Sequence, residues 1–110
     1  MDRFQNTVRL SLFGHDHREE HNVLKSYIDN ISVGVSYSTA AMTTFTNTYP
    51  SFRRLIVDAE TMLPVKVETY RLDPNMPNPE FEFDHELTSY YNMTDLSPTS
   101  FDILNMKLFA

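Results

Sequence analysis

One octapeptide constrains this chain more than any other stretch: Leu10-Ser11-Leu12-Phe13-Gly14-His15-Asp16-His17. Val8, Leu10 and Leu12 alternate with Arg9 and Ser11, the period-two pattern of a short strand with one well-buried face. The strand ends at a glycine, which permits a backbone turn that other residues resist. Two imidazoles follow, one residue apart. In an extended or tightly turned backbone such side chains approach one point from slightly different angles, so a His-x-His pair at a strand's end can hold a metal. Two nitrogens are an incomplete set, because zinc takes four ligands and a catalytic zinc usually takes three from protein. The chain has four histidines and no cysteine. The other two, His21 and His85, read as ordinary surface positions, so any remaining ligands are expected from outside these residues. His21 stands four residues after His17, a clamp spacing in a helix, but Asn22-Val23-Leu24 reads as the start of another strand.

Downstream, Ser32 to Tyr37 alternates and is rich in β-branched side chains, a third strand. Ser38 to Thr48 is polar and threonine-rich, with few residues to bury. Phe52–Val57 and Val65–Leu72, separated by Asp58 to Pro64, predict a hairpin in which Val65, Val67 and Thr69 share one face and Lys66, Glu68 and Tyr70 the other. The Arg53-Arg54 pair on that hairpin reads as exposed. Three prolines between Asp73 and Pro79 can continue neither strand nor helix and mark a connector. Beyond it, Asp84 is placed to cap a short helix through Tyr91. Ser97-Pro98 then opens a final helix with Phe101, Leu104 and Leu108 as its apolar stripe. This divides the chain into residues 1–72, the strands and the His-x-His loop, and residues 73–110, a proline-rich connector with a helical subdomain. As a piece of polypeptide it reads α+β.

With 110 residues, 41% of them apolar and with eight Phe and six Tyr, the chain suits one small globular domain and not a disordered tail. A net charge of −6, with basic residues scattered apart from Arg53-Arg54, argues against a surface that tracks nucleic-acid phosphates. No apolar run is long enough for a transmembrane segment, and the first residues are no signal peptide. Two glycosylation sequons, Asn30-Ile31-Ser32 and Asn92-Met93-Thr94, fit a secretory parent.

The tetrapeptide Gly14-His15-Asp16-His17 after an apolar strand resembles the last metal-binding motif, Gly-His-x-His, of the calcineurin-like metallophosphoesterases. Arg3 through Glu20 is similar to the segment that carries this motif in the acid-sphingomyelinase-like branch. Two later passages resemble that branch in the same order: Thr43-Thr44-Phe45 with Asn47-Thr48-Tyr49-Pro50-Ser51-Phe52-Arg53, and Tyr91-Asn92-Met93-Thr94-Asp95-Leu96-Ser97-Pro98 before the final helix. The resemblance implies a parent with an α/β sandwich fold that hydrolyses a phosphodiester, such as a phospholipid headgroup, with two divalent metal ions, zinc by expectation. His15 would ligate one and His17 the other, both as neutral imidazoles. Asp16 would face solvent or orient a neighbour, and Gly14, Thr43 and Thr44 would lie close to the site or its substrate. It also implies a secreted or lysosomal enzyme, whose terminal region commonly carries disulfides; this chain departs from that pattern.

The family's Asp-x-His, Gly-Asp-x-x-Asp and Gly-Asn-His-(Asp/Glu) motifs have no counterpart in these residues. The expectation is therefore a carboxy-terminal portion of a larger hydrolase, whose partner is the missing amino-terminal part of the same fold and which is inactive alone. The competing expectations are a small β-rich interaction module with an incidental His-x-His, and a truncated, non-catalytic paralogue.

Overall fold

The period-two stretches pair into two three-stranded sheets. The computed structural model describes residues 2–45 and 47–109, so Thr46, within the threonine-rich passage, lies outside the described residues. In chain order the elements are β1 (Ser11–Phe13), β2 (Glu20–Lys25), β3 (Ser32–Ser38), β4 (Ser51–Val57), β5 (Pro64–Leu72), β6 (Phe81–Glu86), α1 (Leu87–Tyr91) and α2 (Pro98–Leu108). The chain is α+β, with the two helices at its carboxy-terminal end.

The first sheet runs β1-β3-β2, with β1 parallel and β2 antiparallel to the central strand. The second is the antiparallel meander β4-β5-β6. Its first turn is closed by Asp58, whose carboxylate accepts hydrogen bonds from the Glu60 and Thr61 amides and the Thr61 hydroxyl. Between the sheets and the helices lies a core of Tyr37, Val67, Leu87, Leu96, Phe101 and Leu104, all at most 5% exposed. Phe101 is its centre, edge-on to Tyr37 with ring centroids 5.6 Å apart. Burying an aromatic side chain of this size stabilises by about 1.5–3 kcal/mol, so α2 is fastened to the first sheet largely through this residue.

Several expectations are corrected. The first strand is only three residues long, and Leu12 and Phe13 are 59% and 61% exposed, so the expected well-buried face does not extend to the end of β1. Residues 81–86 form a strand and not the start of a helix: Phe81 and Phe83 alternate, and the strand pairs with β5. Asp84 therefore caps nothing; the α1 cap is Glu86, whose carboxylate accepts from the Thr88 and Ser89 amides. Burial alone would raise the Glu86 pKa, but these bonds and those from the Thr88 and Ser89 hydroxyls outweigh it and hold the group down at about 2. At α2 the expected Ser97 cap and Pro98 start are present, with Ser97 Oγ accepting from the Ser100 amide, but Leu108, the last helical residue, is 52% exposed.

Candidate functional site

The His-x-His loop is pinned at both ends to one residue. Phe13, the last residue of β1, is registered with Ser38 on one side of β3, and Glu20, the first of β2, is registered with Ser38 on the other. Residues 14–19 thus cross the end of the first sheet, and a cleft of 360 Å³ opens there, lined in part by Phe13, Gly14, Asp16, Asn22 and Ser36. The end of a strand beside a parallel neighbour is where layered α/β folds place ligands.

The turn is made differently from the sequence expectation. Gly14 has no positive φ, and a Cβ there would meet nothing within 4 Å, so neither conformation nor space demands a glycine. The left-handed backbone falls on the histidines themselves, His15 at φ 92° and His17 at φ 58°. Non-glycine residues adopt that region at a cost of about 1–3 kcal/mol each, and keep it only where the surroundings impose it. His15 and Asp16 are exposed, whereas His17 is half-buried and its Nδ1 is buried without a hydrogen-bond partner. Imidazole nitrogens are ordinary donors to divalent metals, and the partnerless Nδ1 of His17 suits that chemistry, while His15 stands exposed beside it. Among the described residues no group of three or more His, Cys, Asp or Glu side chains is gathered to hold a metal. The chain thus offers two histidines and no closed site.

The remaining candidates lie elsewhere. Thr43 and Thr44 are both exposed, and Thr43 Oγ1 accepts a hydrogen bond from the Phe45 amide. His21 and His85 are not ordinary surface residues. His21 Nε2 is hydrogen-bonded to Asn105 Oδ1 at 2.8 Å, with its ring 4.7 Å from that of Phe101, so it ties β2 to α2. His85 is bonded through Nδ1 to Asp84 at 2.6 Å and approaches Glu19 at 3.7 Å.

The residues that sequence reading missed are Glu19, Arg53 and Thr69. Arg53, expected at the surface, has a side chain only 7% exposed. Its Nη1 donates to the Ser38 carbonyl at 3.2 Å and its Nη2 to Glu19 Oε2 at 3.0 Å, while Thr69 Oγ1 donates to Glu19 Oε1 at 2.9 Å. The signal was available: Arg53 lies two residues before Leu55, which packs on the core, and cross-strand from Thr69, so period two turns it inward. Beside it Tyr37 is 3% exposed, and burial pushes its phenol pKa up despite the opposing Arg53 charge, so it stays neutral.

Comparison with known proteins finds three sphingomyelin phosphodiesterases among the chain's relatives. It is 30% identical over 114 residues to sphingomyelin phosphodiesterase B of Dictyostelium discoideum, a match covering 94% of this chain and 18% of that protein. It is 29% identical over 118 residues to sphingomyelin phosphodiesterase 1 of Caenorhabditis elegans, covering 100% of this chain and 21% of the relative. Sphingomyelin phosphodiesterase A of Dictyostelium discoideum is 28% identical over 103 residues, covering 89% and 18%. The chain spans about a fifth of the length of these curated relatives. No family model matches it.

Proposed function

We propose that this chain is the carboxy-terminal segment of a metal-dependent phosphodiester hydrolase of the sphingomyelin phosphodiesterase kind. In this reading it supplies His15 and His17 to a centre whose other ligands belong to preceding polypeptide. The observation that carries the reading is the match to three sphingomyelin phosphodiesterases along nearly the whole chain but about a fifth of each relative. The partnerless Nδ1 of His17 supports it, since a buried nitrogen without a donor or acceptor is costly unless something binds it.

A pair of divalent metals, zinc by expectation, would supply a strong nucleophile at neutral pH and charge neutralisation for the phosphoryl oxygens. The chain's own residues present two imidazoles from a loop held between β1 and β2, and leave Asp16 at the surface. Two histidines alone bind a metal weakly, because water must replace each absent ligand, so the isolated chain is proposed to be inactive. A secreted or lysosomal location belongs to the same proposal; the sequons at Asn30 and Asn92 sit on exposed turns. No helix among the described residues is long and apolar enough to cross a membrane.

The test has two parts. In-frame sequence preceding Met1 is expected to carry the aspartate and histidine motifs absent here, and the polypeptide containing both parts is expected to hydrolyse an aryl phosphodiester in zinc, with His15→Ala or His17→Ala abolishing turnover. An open frame without those motifs, or turnover by the 110-residue chain alone that His15→Ala removes, overturns the proposal.

A further inference from the structure

We propose that Glu19 and Arg53 are positioning residues for the His-x-His loop, holding its left-handed backbone so that a divalent metal meets an ordered pair of imidazoles. The inference rests on the metal reading above and deepens it. Two positive-φ residues in a short loop need an external constraint. The loop does not provide it: among the described residues, none of the backbone–backbone hydrogen bonds of turns and loops falls within residues 14–18. The constraint comes from the second sheet, which reaches across to the loop's end through the Arg53 guanidinium and the Thr69 hydroxyl.

Arg53 bonds both fixed points of the loop. Through Nη1 it holds the carbonyl of Ser38, the residue registered with Phe13 before the loop and Glu20 after it. Through Nη2 it holds Glu19, two residues past His17. Thr69 holds the other oxygen of the same carboxylate, and the His85 ring stands 3.7 Å away. The Arg53 side chain is 7% exposed and that of Glu19 22%, so the pair is largely shielded from the solvent that weakens surface ion pairs. Partners that orient metal ligands typically matter 10–100-fold in metal affinity. This pair would act one step further back, through the loop backbone.

The experiment compares the full chain with Glu19→Ala, which removes both contacts, and Glu19→Gln, which keeps the shape and one of the two acceptor oxygens but not the charge, by backbone NMR relaxation and by zinc chloride titration of the histidine ring resonances. For Glu19→Ala, order parameters of residues 15–18 are expected to fall from about 0.85 to below about 0.6, while those of Ser51–Leu72 stay unchanged. Zinc affinity is expected to fall at least about tenfold, and Glu19→Gln to recover part of both losses. Should Glu19→Ala fail to fold, Thr69→Val removes one 2.9 Å contact and is expected to give a smaller drop confined to the same loop. An unchanged loop overturns the inference, and so does a hairpin that loosens together with it, which would mark a general stabilising contact. If the unaltered chain shows no zinc-dependent shift of the His15 and His17 rings while Glu19→Ala still loosens only the loop, the zinc part of this inference fails and the positioning of the loop stands, whereas the proposed function is decided by the turnover test above.

Discussion

The two sheets reach their order by different routes. In β4-β5-β6 every pairing is antiparallel and sequential, the first turn is locked by the Asp58 carboxylate, and two salt bridges converge on Glu68 from Arg54 and Lys66. In β1-β3-β2 one edge strand is three residues long, joins by a parallel pairing, and leaves Leu12 and Phe13 facing outward. Local turns specify the second sheet, β4-β5-β6; the first, β1-β3-β2, takes its order from α2 on one side and from Arg53 on another. The half that bears the candidate ligands is the half that depends most on contacts supplied from elsewhere. A metal loop proposed to be completed by further polypeptide is consistent with that dependence.

The hardest blow to this comparison is Phe101→Ala. Phe101 is fully buried and packs on Tyr37 and His21 of the first sheet, so the substitution is expected to cost about 3–5 kcal/mol in urea denaturation. Signals from β1-β3-β2 should melt at lower denaturant than those from β4-β5-β6. Coincident transitions would show that the two sheets stand or fall together.

Ser97→Ala removes the acceptor that caps α2 and is expected to cost about 1 kcal/mol, again felt first in the sheet that α2 covers. Equal loss in both sheets would blunt the contrast.

The α1 cap gives a pH signature on the other side of the molecule. Glu86 is held at about 2 against an ordinary 4.5, so its contribution is complete above pH 4.5 and lost as pH falls toward about 2. Glu86→Gln should flatten that part of the stability profile while leaving the first sheet's response to acid unaltered. A profile that keeps its slope in the variant would assign the acid sensitivity to another carboxylate.

The smallest effect is expected at the exposed edge. Phe13→Ser should change the stability of the isolated chain by no more than about 0.5 kcal/mol, since the side chain is 61% exposed. A larger loss would mean that β1 is already covered, for instance by a second copy, which sedimentation would show as a dimer.

Local chemistry alone determined much of this chain. Alternation placed β3 and the β4-β5 hairpin, prolines placed the connector after β5, and Ser97-Pro98 placed the start of α2, because each of these depends on neighbours within a few residues. The His-x-His pair and its position past a strand were equally legible. Tertiary structure decided the rest. Local propensity makes Asp84 a helix cap, and only the pairing of Phe81–Glu86 with β5 makes it part of a strand. Alternation turns Arg53 inward, but only the tertiary fold brings it to Glu19, 34 residues away in sequence. Left-handed angles fell on His15 and His17 and not on Gly14, since the loop must span two strands that meet at Ser38, a constraint set by the sheet and not by the residues that satisfy it.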